Sequence, residues 1–331
     1  SIRTGYRKRE VNGENRKLKE TIEEIMRIRA YGKINLYLQV LDDFPRGEKG
    51  YHRLQTIYQT IGLYDEVILS NTESQGIKVL CDHPLVPQGP KNLVYKAASL
   101  LRRYAGIKRG INIEIIKKTP VGAGLGGGSS DAAATLKGLN RLWKLNYGRN
   151  TLLPISAQLG CDVPFFLYGH TALGEGYGEI VTPLPEIKKK WVLLVKPDFM
   201  LSTKWVYRHL GKIGLTEPVN IIKIKICQSQ SGRKRESSLS GSSLLTIGKI
   251  RKILKDGIEK LIYNRLEEVA IAYYPVISQI KKELLEGGAD CALMSGSGPT
   301  VFALLKGQRV GKKLQKKMEK YKFSTWLVKT V

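Results

Sequence analysis

The chain has 331 residues, 42% hydrophobic and 25% charged, with 55 Lys and Arg against 29 Asp and Glu, a formal net charge of +26. That length supports one large domain or two ordinary ones, with an ordinary soluble composition. No apolar run approaches the roughly 18 to 20 residues of a spanning helix, and the four cysteines and four histidines are too scattered for a CxxC pair, a zinc site or a disulfide framework.

Residues 1–25 are polar and poor in large apolar side chains, so they read as a mobile extension. A regular pattern begins at Met26. Residues 34–41 predict a strand, 42–51 a turn-rich loop with Pro45, Gly47 and Gly50, and 53–63, 66–70 and 77–81 further strands. Leu93, Ala97, Leu100 and Leu101 give helical spacing over 92–104. Residues 111–117 alternate as a strand, a glycine-rich loop follows, and 129–143 reads as a helix. A further helix over 150–159 is interrupted by Pro154. A hairpin is expected near 174–178 and a buried strand at 191–196. Residues 228–243 are Ser-rich and basic without periodicity and read as a flexible insertion. Helices resume at 250–262, 266–272 and 276–286, and strands at 291–294 and 300–305 flank a tight turn at 296–299. The mixture is α+β, divided into a domain over 26–187 and another over 188–331.

The positive charge is uneven. Residues 212–260 carry eleven Lys and Arg against four acids, and residues 306–329 nine against one. These runs read as solvated helix faces and a tail, with few of the interleaved aromatics that stack on bases.

The strongest local signal is the loop Pro120, Val121, Gly122, Ala123, Gly124, Leu125, Gly126, Gly127, Gly128, Ser129, Ser130. Five glycines in seven positions are costly to order. Between a strand and a helix they let backbone N–H groups converge on a phosphate, and the helix adds its free N–H groups and dipole. Ser129 and Ser130 suit a helix cap or a phosphate or metal contact. No Lys follows as in a Walker A loop, and no early βαβ unit with a following acid marks a dinucleotide fold.

With Ala-Tyr-Gly-Lys-Ile-Asn-Leu at 30–36, Gly-Tyr-His at 50–52, Asn-Leu at 92–93, Gly-Cys-Asp-Val-Pro-Phe at 160–165 and Met-Ser-Gly-Ser-Gly-Pro-Thr at 294–300, this loop resembles the GHMP kinase superfamily. The Gly-Tyr-His and Asp-Val-Pro elements resemble the branch that phosphorylates 4-diphosphocytidyl-2-C-methyl-D-erythritol. The resemblance implies a ribosomal protein S5 domain 2-like N-terminal domain, a second α/β sandwich domain and phosphoryl transfer from ATP to an alcohol. It implies catalytic roles for Lys33 and Asp162, and a nucleotide site at Asn92 and residues 120–130. It implies a substrate site at Asn35, Tyr51, His52, Thr203 and Tyr207. It places the serines of 295–297 in a motif against the active site. Mg2+ is expected on the ATP phosphates with one side-chain contact at Ser130, and no protein cage of metal ligands is expected.

The chemistry agrees with those roles. An alcohol is a poor nucleophile, so a carboxylate at its proton is useful, and a lysine neutralises the transferring phosphoryl. Asp162 also reads simply as a turn or N-cap residue, Lys33 as a solvated lysine and His52 as a surface residue. Two rival readings are a GHMP kinase for another alcohol and an RNA-binding module. The expected partners are a small molecule bearing cytidine diphosphate, with no nucleic acid and no membrane. The chain is expected in the cytoplasm, as a monomer or weak homodimer.

Overall fold

A computed structural model describes residues 2–7, 23–41, 51–210 and 245–331. The expected insertion at 228–243, the loop at 42–50 and residues 8–22 lie outside them. The described residues form two compact units, one drawn from 1–32, 63–121 and 126–169, the other from 33–62, 122–125 and 170–331. Two long strands, β2 (Glu23–Val40) and β3 (Leu54–Thr72), each contribute one part to each unit.

In the first unit, β1 (Ile2–Arg7) pairs antiparallel with the start of β2, in register Ile2 to Ile28. Regular structure therefore begins before Met26, inside the segment expected to be an appendage. Along β2, buried Met26, Ile28 and Ala30 alternate with exposed Arg27 and Arg29, the two-residue period of a half-buried strand. β4 (Ile77–Cys81), α1 (Leu93–Tyr104) and β5 (Gly110–Ile116) follow, β4 parallel and the second part of β3 antiparallel to β5. Helices α2 (Gly127–Leu142), α3 (Arg149–Ala157) and α4 (Val163–Tyr168) complete the unit. Helix α2 buries Ala132, Ala133, Ala134, Leu136 and Leu139 and packs on α1 and α4. Each fully buried Leu there contributes about 1.5–3 kcal/mol through removal from water.

Two sequence expectations differ here. The segments 53–63 and 66–70 are one unbroken strand, because Asp65 finds buried partners instead of breaking it. Pro154 lies inside α3, not at a break; Leu152 and Ile155 are buried against the core and hold the short helix in place.

In the second unit, the first part of β3 pairs with β6 (Thr171–Glu175), which forms a hairpin with β7 (Ile180–Pro183). A second sheet has the order β10-β11-β8-β12, all antiparallel: β8 (Trp191–Lys196), β10 (Cys291–Met294), β11 (Val301–Leu305) and β12 (Ser324–Lys329). The described residues of this unit also form helices α5 (Thr203–His209), α6 (Ile247–Asp256), α7 (Arg265–Tyr273), α8 (Val276–Glu286) and α9 (Gln308–Lys320), with the short β9 (Tyr263–Asn264) beside β2. The core joins Leu193, Val195, Val269, Ile277, Ile280, Leu284, Val301 and Leu314.

The helix expected over 250–262 ends at Asp256, because Gly257 sits at φ +133 and turns the chain. The basic run 306–329 is not a tail. It forms α9, with Leu314 and Met318 inward and Lys312, Lys313, Lys316 and Lys320 outward, and then strand β12. Among the described residues no helix is long and apolar enough to cross a membrane.

Candidate active site

The glycine loop is contributed to both units, with Gly122 to Leu125 in the second and its flanks in the first. Its left-handed positions are Gly122, Gly124 and Gly126, the last being the residue before α2. Gly124 must be glycine, because a Cβ there would stand 2.2 Å from Ser295 O. The Ser130 N–H donates to Gly126 O at 2.9 Å, so the helical ladder starts there. The N–H groups of the turn before it remain the free donors of a helix start.

In the first unit, an ion triad braces the loop's flanks. Asp65 Oδ1 accepts from the Lys118 and Thr119 N–H groups at 2.6 and 2.7 Å, and its Oδ2 accepts from Lys117 Nζ. Lys117 Nζ also donates to Asp131 Oδ2 at 2.9 Å. The strand leaving β5 and the first turns of α2 are thus tied together on either side of the loop. Burial pushes the Asp131 carboxyl up to about 7, with Lys117 pulling it down and Asp65 pushing it further up. A Cβ on Gly127 would meet Thr119 Cγ2 at 3.1 Å and Lys117 Nζ at 3.2 Å, whereas a Cβ on Gly128 would enter open space.

The remaining site residues of this unit take clear places. Ser130 is buried and its hydroxyl donates to Tyr31 O at 2.7 Å, leaving oxygen lone pairs to accept or ligate. Asn92 caps α1, its Oδ1 accepting from Val94 N–H at 2.8 Å while its Nδ2 donates to Pro87 O at 2.7 Å. Asp162 precedes α4, yet its carboxylate does not cap that helix, so the capping role is removed.

The second unit gathers the lysine. Lys33 is 3% exposed, in a stretch of β2 where residues 32–36 are all buried. Its Nζ donates to Asn35 Oδ1 at 2.6 Å and to Gly124 O at 3.0 Å, and lies 5.7 Å from the centre of the Tyr58 ring. Asn35 Nδ2 donates to Thr56 Oγ1, and Thr56 donates to Tyr37 O. The solvated-lysine reading is thereby excluded. Gly124 O also accepts from Ser295 Oγ at 3.1 Å, which brings the 294–300 motif onto the loop.

The same unit brings His52 and Tyr207 together. His52 is 7% exposed, and the two rings stack with centroids 5.4 Å apart. Thr203 and Ser297 share a hydroxyl–hydroxyl bond of 2.9 Å. Tyr51 is 46% exposed and meets Tyr177 edge-on, not His52 or Tyr207.

The chain matches the model of the GHMP kinases N terminal domain over residues 92–170 and that of the GHMP kinases C terminal over residues 246–323. It is 42% identical over 277 residues to a 4-diphosphocytidyl-2-C-methyl-D-erythritol kinase of Geobacter sulfurreducens, covering 84% of this chain and 88% of that one. The chain belongs to the GHMP kinases. This GHMP kinase, a small-molecule kinase of α+β fold with both family domains, also resembles a solved 4-(cytidine 5'-diphospho)-2C-methyl-D-erythritol kinase. There the TM-score is 0.71 at 30% identity, over 92% of this chain and 99% of the other. A homoserine kinase from Cytophaga hutchinsonii shares the fold alone, with TM-score 0.62 at 20% identity over 91% of this chain and 94% of the other.

Sequence reasoning about this GHMP kinase missed the Asp65–Lys117–Asp131 triad. Lys117 and Asp131 flank the loop in sequence and were visible there. Asp65 was not, because only the pairing of β3 with β5 brings it alongside.

Proposed function

We propose that this kinase transfers the γ-phosphoryl group of ATP to the C2 hydroxyl of 4-diphosphocytidyl-2-C-methyl-D-erythritol, giving the 2-phosphate and ADP, in the non-mevalonate route to isoprenoid precursors. The observation that carries the choice of acceptor is the stack of the buried His52 imidazole on the partly buried ring of Tyr207. An aromatic face beside a buried imidazole suits a pyrimidine, whose ring stacks while its polar edge meets the imidazole. The names of the related kinases support the same acceptor. Tyr51 and Thr203 complete the cytidine side.

In this reading Asp162 takes the proton of the acceptor hydroxyl as the new O–P bond forms and the bond to ADP breaks. Lys33 offsets the charge on the phosphoryl group in transit, and Asn35 orients it. Residues 120–130 hold the ATP phosphates and Asn92 lies by the adenine. The glycine cradle, which a side chain at Gly124 would obstruct, and the open space at Gly128 suit a bound triphosphate. Mg2+ would be held by the ATP phosphates and the Ser130 oxygen, and supplies charge neutralisation there. The division into domains at 26–187 and 188–331, a cytoplasmic location and a monomeric or weakly dimeric state belong to the same proposal.

The test is to incubate the chain with ATP, Mg2+ and the cytidine-linked acceptor and to follow the products by phosphorus NMR. A new monoester resonance coupled to the C2 carbon supports the proposal. ADP formation with phosphate on another hydroxyl, or on no acceptor, contradicts it.

A further inference from the structure

We infer that Asn264 and Glu267 are positioning residues for Lys33, acting through the turn that joins β10 to β11; the inference rests on the catalytic reading of Lys33 given above. Neither residue lies in the motif segments at 30–36, 50–52, 92–93, 120–130, 160–165 and 294–300.

Asn264 is 3% exposed, and its amide is used from both ends. Its Oδ1 accepts from Leu266 N–H at 3.0 Å and caps α7. That cap needs only an oxygen, as a serine or aspartate would supply. Asn264 Nδ2 does something further: it donates to Met294 O and Gly296 O, both at 2.8 Å. One turn into α7, Glu267 Oε1 accepts from the Met294 N–H at 2.8 Å, and its Oε2 accepts from the buried Lys281 ammonium. Burying an ion pair brings little net stability by itself. Here it fixes a carboxylate whose other oxygen holds the backbone of the turn.

What that turn touches gives the clamp its purpose. Ser295 Oγ donates to Gly124 O, the carbonyl that also accepts from Lys33 Nζ. Gly296 lies so close to the lysine that a Cβ there would stand 3.3 Å from Lys33 Nζ and 3.2 Å from Asn35 Oδ1. The chain of contacts runs from the α7 start, through two gripped carbonyls and one gripped N–H, to the Lys33 ammonium and its acceptors. Loosening the grip lets Ser295 and Gly296 move, and with them the wall against which Lys33 is held. A site loosened by a fraction of an ångström loses rate before it loses binding.

The experiment measures Lys33 directly. The full chain and its Asn264→Asp variant are treated with limiting acetic anhydride, and acetylation of each lysine is followed by mass spectrometry. Asn264→Asp keeps the cap oxygen on Leu266 and removes both donated N–H groups. Lys117, whose side chain is 4% exposed, and Lys137, whose partly buried ammonium donates to Phe166 O, serve as references in the first unit. Lys33 labelling is expected to accelerate about fivefold or more with the references unchanged, and kcat to fall about tenfold or more while the KM for ATP stays within about threefold. Unchanged Lys33 labelling in the folded variant overturns the inference, as does equal acceleration of all three lysines, which marks general loosening. If Asn264→Asp does not fold, Ser295→Ala cuts the same connection at its other end, and the same labelling comparison decides. A wild-type chain that fails to phosphorylate the cytidine-linked acceptor would remove the proposed substrate and leave the labelling comparison standing.

Discussion

The imidazole of His52 lies against the ring of Tyr207, with centroids 5.4 Å apart and planes inclined by 26°. The two residues are far apart in sequence, His52 in the loop just ahead of β3 and Tyr207 in α5, so their meeting is a product of the fold of the second unit. His52→Ala should weaken the cytidine-bearing acceptor by about 1–3 kcal/mol, because a buried base edge loses its partner. ATP affinity should hardly change. Paired titrations with an ATP analogue and with the acceptor check this, and equal weakening of both would mean that the stack is structural only.

Gly127 and Gly128 should respond differently to a side chain. Gly128→Val enters open space, so the expected outcome is a large loss of ATP affinity by calorimetry with an almost unchanged Tm. Gly127→Val presses on Thr119 and Lys117 and should lower Tm as well, since forcing bulk into a filled site costs about 1–3 kcal/mol. Undiminished ATP binding by a folded Gly128→Val chain would remove the loop from the phosphate site.

Asp162→Asn retains the shape of the side chain and removes the base. The rate should fall by about a hundredfold or more with ATP binding roughly intact. Near-full turnover by the variant would take Asp162 out of the chemistry.

Much of this was legible in the sequence, and the particular failures are instructive. The glycine loop between β5 and α2 was readable from composition and order alone. The lysine was placed by resemblance, and its burial has no local signature: Ile34 and Leu36 continue the alternation of Met26, Ile28 and Ala30, which puts Lys33 and Asn35 on the outward side, yet residues 32–36 are all buried. Asp65 lies in the gap between the expected strands 53–63 and 66–70, and aspartate is a poor strand former. Three donors on the segment 117–119 satisfy it and keep β3 whole. Of the reading of the basic runs as solvated helix faces and a tail, the helix face holds at 306–329 in α9, while the tail does not, because its charge outweighed the inward stripe of Leu314 and Met318 and the strand β12 that follows. Asn264 and Glu267 carried no signal at all, since their partners lie some 30 residues away, in a turn that only the second sheet brings within reach.

Asp131 links the triad to pH. Burial raises its folded-state value from 3.8 to about 7. Between those values the folded chain binds a proton that the unfolded chain releases, so this group's contribution to stability is complete below about pH 4 and is lost as pH rises through about 7. Asp131→Asn should flatten that part of the stability–pH profile, measured by urea denaturation across the range. An unchanged slope in the variant would show that Asp131 stays ionised beside Lys117.

In the proposed function the acceptor is recognised through its cytidine. The most direct measurement is coupled ADP release with two acceptors, the cytidine diphosphate-linked methylerythritol and the same polyol without the cytidine diphosphate. A buried, stacked and hydrogen-bonded base contributes several kcal/mol in total, so kcat/KM should be at least about a thousandfold higher for the linked acceptor. Comparable kcat/KM values for the two, or turnover only with the plain alcohol, would contradict the account and point to a GHMP kinase for a different substrate.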